Sequence, residues 1–146
     1  MNAQHIRPLA ICVFRRDDRI LVIEAHDFVK GVTFYRPLGG GIEFGEASAA
    51  ALVREIREEI AAEVVDLEYI GTLENIFTYN GAAGHEIVQV YDGRFAKVAL
   101  YSAPSIAGVE STGEPMRVIW KPINSFSARV PLYPDGLLDL LQGRRS

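Results

Sequence analysis

Two rhythms of hydrophobic and polar positions run along the chain. The stretch from Ile6 to Arg16 (IRPLAICVFRR) is apolar and β-branched enough to predict a strand. Asp17, Asp18 and Arg19 form a turn, and Ile20 to Ala25 (ILVIEA) read as the hairpin partner. Residues 26 to 35 (HDFVKGVTFY) carry scattered aromatics without period and are expected as a loop. The pattern then changes. Residues 46 to 61 lack Pro and Gly, are rich in Ala, Glu, Leu and Arg, and predict a helix with Ser48 as N-cap. Strand character returns from Val64 to Phe77, with a glycine-bearing loop over residues 78 to 85. Glu86 to Val98 is a further strand, with a bulge or turn expected at Asp92-Gly93. Residues 102 to 115 read as irregular, Met116 to Lys121 as a strand ended by Pro122, and Pro134 to Gln142 as a terminal helix. Strands on both sides of one strong central helix predict a mixed α/β or α+β sandwich.

Composition narrows this to one domain spanning residues 1–146. A chain of 146 residues with 49% hydrophobic content can bury a single core of ordinary size. The net charge of −4 argues against a broad nucleic-acid footprint, so no nucleic-acid partner is expected. Cys12 is the only cysteine, which excludes an internal disulfide and favours a reducing compartment; set in an apolar strand, it reads as a core residue. The start MNAQHIRPLA has no apolar signal core, and no run approaches a membrane span, so a cytoplasmic location without membrane contact is expected.

Within the central helix, Ala49, Leu52, Val53, Ile56 and Ile60 lie at offsets of a 3.6-residue period and define a buried stripe. Glu55, Glu58 and Glu59 share an adjoining face at i, i+3 and i+4. Like charges at that spacing repel by roughly 0.2–0.5 kcal/mol per pair, and they sit where the helix dipole disfavours anions. Arg54 and Arg57 offset part of this, Arg54 being four residues before Glu58. Three such glutamates alone would describe a solvated helix face. Directly after a Gly39-Gly40-Gly41 loop, they call for a compensating cation. A compact set of oxygen ligands suits a hard divalent ion such as Mg²⁺ or Mn²⁺.

The joint spacing carries more. Gly40, Glu46, Arg54, Glu55, Ile56, Glu58 and Glu59 resemble the Nudix box G-x5-E-x7-R-E-U-x-E-E-x-G-U, where U is a bulky aliphatic. With average residue usage these seven positions coincide with a frequency on the order of 10⁻⁸ per starting point, and about 10⁻⁶ once any two positions may miss. Ala61 stands where the family has glycine and Ala62 where it has a larger aliphatic; Pro37-Leu38 replaces the commoner Leu-Pro order. The family glycine suits a left-handed helix end, which would strain an alanine by roughly 1 kcal/mol.

The resemblance implies a Nudix α/β/α sandwich with a mixed β-sheet. It also implies a divalent-metal-dependent hydrolase that cleaves a pyrophosphate bond in a nucleoside diphosphate linked to another group. On this basis Glu55, Glu58 and Glu59 are the metal carboxylates, with the Gly39 carbonyl as a backbone ligand and Mg²⁺, alternatively Mn²⁺, as the ion. Glu55 would also orient or deprotonate the attacking water, Arg54 would hold a carboxylate in place, and Glu46 would tie the loop to the helix. Gly40 lets the backbone approach phosphates. A further acid from a later loop is expected as ligand or base, Glu114 first, then Glu110 and Glu86. Arg36 is a candidate phosphate contact, with a structural salt bridge as its alternative. Tyr79 lies where some dinucleoside-polyphosphate-hydrolysing members carry a tyrosine. Phe28, Phe34, Tyr35 and Phe77 are further candidates for base stacking or core. His5, His26 and His85 lack partners at ligand spacing and are expected at the surface or in loops. The partner implied is a small nucleotide, and a homodimer is compatible with the family. The alternative is a catalytically silent Nudix module that binds a nucleotide metabolite as a sensor or interaction domain.

Overall fold

The computed structural model describes residues 4–143, so the first and last three positions of the expected domain lie outside the described residues. Among the described residues nine strands form, β1 (Arg7–Val13), β2 (Arg15–Arg16), β3 (Arg19–Asp27), β4 (Val32–Arg36), β5 (Leu38–Gly41), β6 (Val64–Tyr79), β7 (Ala82–Phe95), β8 (Ser105–Val109) and β9 (Pro115–Pro122). Two helices, α1 (Ser48–Ile60) and α2 (Leu137–Gly143), accompany them.

One sheet has the order β5-β1-β7-β6 and is mixed, since β1 runs parallel to β7 and antiparallel to β5. The other has the order β2-β3-β9-β8, with β4 also paired to β3. Alternation sorts the side chains to two faces. Ala10, Cys12, Leu21 and Ile23 pack with Leu52 and Ile56 of α1. Ile11, Val13, Ile20 and Val22 pack instead with Leu137 and Leu141 of α2. The strands are therefore covered on both sides by helices, which is the α/β/α arrangement that the Nudix resemblance implies.

Several local expectations are corrected. Residues 26 to 35 are mostly strand: β3 continues to Asp27, and β4 pairs with it from Ile23↔Arg36 to Asp27↔Val32. The expected loop at 78 to 85 is a tight hairpin turn on Asn80 and Gly81, both left-handed at φ 49 and 84°, a backbone that Asn-Gly favours. Within 102 to 115, β8 pairs with β9. The irregularity expected at Asp92-Gly93 belongs to the facing strand, where the register shifts between Val65 and Glu68. Ala47, not Ser48, is the N-cap of α1, and the Ser48 hydroxyl meets the Tyr91 hydroxyl instead. Ala51, Leu52 and Ile56 form the fully buried line of α1, whereas Ala49 is only half-buried. Cys12 is fully buried, as a core residue should be, and burial pushes its thiol upward. His26 and His85 stand in strands, bonded to Thr33 Oγ1 at 2.9 Å and Glu74 Oε2 at 2.6 Å.

Candidate active site

The glycine strand β5 runs beside β1, with Gly40 opposite Ala10 and Gly39 opposite Ile11. Gly39 has φ 148°, and a Cβ there would lie 2.1 Å from the Ala10 carbonyl oxygen, so no other residue fits without moving backbone. A Cβ on Gly40 would lie 2.3 Å from Glu55 Oε2. Glycine at 40 thus lets a helix carboxylate rest against the strand. Between β5 and α1 the loop closes through Gly45 at φ 83°, with the Glu46 N–H donating to the Glu43 carbonyl at 3.0 Å.

Arg54 organises the helix side. Its Nε and Nη2 donate to the two oxygens of Glu46, each at 2.8 Å. Its Nη1 donates to Glu55 at 3.0 Å and Glu58 at 2.9 Å, and Nη2 also reaches the Gly41 carbonyl at 3.0 Å. The bidentate pair holds the Glu46 carboxyl at about 2, chiefly through the Arg54 hydrogen bonds. Glu46 therefore ties the loop to the helix through Arg54.

Glu59 turns inward, and its Oε1 accepts the Gly39 N–H at 3.0 Å. Burial pushes its carboxyl up to about 8, against the opposing pull of Arg36 and the Gly39 N–H, with Glu55 and Glu58 adding like charge. Glu55 and Glu59 line a cleft of about 220 Å³ with Gly39, Gly40, Gly41, Arg7, Arg36 and Glu110. Glu58 belongs to the same helix face but points to Arg54, with its side chain 53% exposed.

The remaining candidates divide between this cleft and its neighbour. A larger cavity of about 610 Å³ adjoins the cleft and shares Leu9, Ile11, Arg36, Glu110 and Met116 with it. Glu114 and Tyr79 line the larger cavity only, whereas Glu110 is the loop acid that stands with Glu55 and Glu59. Arg36 borders both, which puts one guanidinium at their junction. Glu86 is partly buried, its carboxyl raised by that burial and held back by Arg7, Arg36 and Asn75. Arg7 went unnoticed in the sequence because only the β1–β5 register brings it beside the glycines.

A sequence model of the NUDIX domain matches residues 4–116. The chain belongs to the Nudix family. Nudix hydrolases generally use a divalent metal, and the oxygen-rich cleft is the part of this chain suited to one. Among curated proteins, the chain is 43% identical over 67 residues to an NAD-capped RNA hydrolase NudC of Pseudomonas putida strain W619, and 42% identical over 67 residues to that of Pseudomonas aeruginosa strain LESB58. Those 67 residues are 46% of this chain and span only 24% and 23% of the two relatives, about a quarter of their length. Among solved structures, a NUDIX hydrolase from Nitrosomonas europaea matches with TM-score 0.64 at 15% identity, covering 94% of this chain and 87% of that one. A MutT NUDIX hydrolase from Burkholderia pseudomallei matches with TM-score 0.63 at 21% identity, covering 95% and 98%. Both share the Nudix fold. The Ala61 departure from the family box is accommodated without lengthening the helix: Ala61 itself adopts φ 54°, ψ 37°, and its N–H donates to the Arg57 carbonyl. No helix among the described residues is long and apolar enough to cross a membrane.

Proposed function

We propose that this Nudix chain is a divalent-metal-dependent hydrolase that cleaves a pyrophosphate bond in a nucleoside diphosphate joined to a second group. The observation that carries the reading is the meeting of Glu55 and Glu59 with the Gly39–Gly41 backbone in one cleft, flanked by Arg7 and Arg36. The donor set fits a hard cation. It consists of oxygens, and one carboxylate is buried deeply enough to resist ionising unless a positive charge accompanies it. Among the described residues, no three acidic or histidine side chains already surround an ion's position. Arg54 meanwhile engages Glu55 and Glu58, so loading would turn Glu58 from the guanidinium toward the cleft, while Glu55, which already lines it, keeps its bond to Arg54.

In this reading Glu55, Glu58, Glu59 and the Gly39 carbonyl would hold Mg²⁺ or Mn²⁺. Such an ion, when bound, neutralises phosphoryl charge and lowers the pKa of bound water. Arg7 and Arg36 bind phosphoryl oxygens, for which a guanidinium fork is suited. Glu55 takes up the proton of the attacking water at its carboxylate, and Arg54 keeps that carboxylate oriented. Glu110 is the nearest loop acid for a supporting role, ahead of Glu114. The substrate is a small nucleotide and the location cytoplasmic, in keeping with the acidic net charge and the buried free thiol of Cys12.

The test is a substrate panel with Mg²⁺, scored by the identity of the phosphate products. It includes ADP-ribose, diadenosine polyphosphates, sugar nucleotides, NADH and noncanonical nucleoside triphosphates. A short NAD-capped RNA is added because the partial curated relatives carry that activity in their names. Cleavage between two phosphorus atoms, lost on chelation, supports the reading. Tight nucleotide binding without turnover of any panel member would instead favour a silent binding module.

A further inference from the structure

Part of the larger cavity is lined by two chain reversals that are far apart in sequence. The turn between β3 and β4 contributes Asp27, Phe28 and Lys30, and the end of the β6–β7 hairpin contributes Phe77, Thr78 and Tyr79. Asp27 joins them. It is only 3% exposed, and among the described residues the other buried polar side chain is the uncharged Asn75. Its Oδ1 closes its own turn by accepting the Val29 and Lys30 N–H groups at 3.0 and 2.9 Å. Its Oδ2 crosses to the other turn and accepts the Asn80 N–H at 3.1 Å. Asn80 answers in kind, its Oδ1 accepting the Phe28 N–H at 2.7 Å. Lys30 Nζ adds a bond to the Thr78 carbonyl at 2.8 Å. The Lys30 backbone N–H, followed by those of Asn80 and Val29, holds the Asp27 carboxyl below its ordinary range, so the crossing acceptor is a charged one.

The two turns thus clamped carry Phe28, Phe77 and Tyr79 into the cavity, where Phe34 of β4 and Tyr133 join them. Phe34 meets Tyr79 edge-on at 5.7 Å and Tyr133 at 5.4 Å. The Phe77 ring lies across the backbone of Gly84, where any Cβ would come within 2.3 Å of it. Tyr79 nevertheless remains 40% exposed, so its ring has free surface to offer. Five Phe and Tyr rings, Phe28 among them, in a cavity that shares Arg36 with the carboxylate cleft suit a flat π system attached to a phosphate chain.

We propose that the Asp27–Asn80 clamp fixes the β3–β4 and β6–β7 turns as one wall of a subsite for a planar aromatic base, with Asp27 as its positioning residue. The proposal rests on the pyrophosphatase reading for the orientation of the substrate, and names the group that occupies the far end.

Asp27→Asn separates the clamp from the turn. An amide oxygen still accepts from Val29 and Lys30, while the amide nitrogen faces the Asn80 N–H and breaks the crossing bond. Asn80→Gly removes the reciprocal acceptor and keeps a residue at ease with positive φ. The measurement is an NMR titration of the full chain without metal, using phosphate-free adenosine, guanosine, cytidine and uridine, with ribose as the control. The wild type is expected to bind at least one nucleoside and not ribose. Both variants are expected to weaken that binding roughly fivefold to 150-fold, the range of one lost stacking contact. With the substrate found in the panel, KM should rise by a similar factor and kcat stay unchanged, a split that general loosening of the fold would not give. If Asp27→Asn fails to fold, Asn80→Gly decides. Wild-type binding in a folded variant, equal binding of ribose, or no nucleoside binding at all would overturn the proposal. Nucleoside binding that survives while every panel member is left intact would overturn the pyrophosphatase reading alone.

Discussion

Replacing Glu59 by Gln should make the metal-free protein more stable while removing its activity. The wild-type carboxyl releases its proton at about 8 when folded, against 4.5 for the ordinary group. The unfolded chain is thus ionised there between about 4.5 and 8 while the folded chain still holds the proton, so wild-type stability falls as pH rises through that window and levels off above it. At about 1.4 kcal/mol per pH unit the gap would reach about 5 kcal/mol. Partial solvation of the carboxyl reduces this to roughly 2–4 kcal/mol. Glutamine keeps an oxygen for the Gly39 N–H and never ionises, so its stability has no such slope. Urea unfolding with a chelator at pH 5, 7 and 9 should give near-equal stabilities at pH 5 and a more stable variant at pH 9. Added Mg²⁺ at about a hundredfold its dissociation constant should then stabilise the wild type by about 2.7 kcal/mol and the variant by much less. A variant that is less stable than wild type at pH 9, or equally pH-dependent, would refute the account of Glu59.

Two glycine positions give further tests. Ala61→Gly relieves a left-handed alanine at φ 54° and should raise stability by about 1 kcal/mol, or about 2–4 °C in thermal melting; a lower midpoint would mean that the alanine side chain contributes packing. Gly40→Ala puts a Cβ 2.3 Å from Glu55 Oε2, the movable end of a side chain, so melting should change little while hydrolysis falls by about a hundredfold or more. A normal rate in that variant would show that the Glu55 position against the strand has no part in turnover.

How much could be read from residues alone depends on how local the cause is. Helix α1 was predicted within two residues of its start and one of its end, because propensity, period and the absence of Pro and Gly all agree there. The carboxylate face followed from helical geometry. Strand β4 was missed because Val32-Thr33-Phe34-Tyr35 is short and gains its pairing only from β3. The β6–β7 turn was read as a loop although Asn80-Gly81 is a hairpin signal, since Ala82, Ala83 and Gly84 have weak strand preference. The Phe77 ring over Gly84 supplies a packing reason for that glycine that no local pattern encodes. The loop acid was ranked with Glu114 ahead of Glu110, because nothing in their spacing tells which one the β8–β9 turn presents to the cleft. Arg7, Asp27 and Asn80 drew no notice for the same reason: their partners come from other strands.

Arg54 gives this acidic helix face a counterion of its own. A guanidinium that satisfies Glu46, Glu55 and Glu58 at once neutralises much of the like charge that the loop and helix crowd together, so the face is not a bare cluster of anions. In the proposed metal-dependent reaction, an arriving cation would trade places with a counterion inside a standing framework, and its removal would call for no refolding.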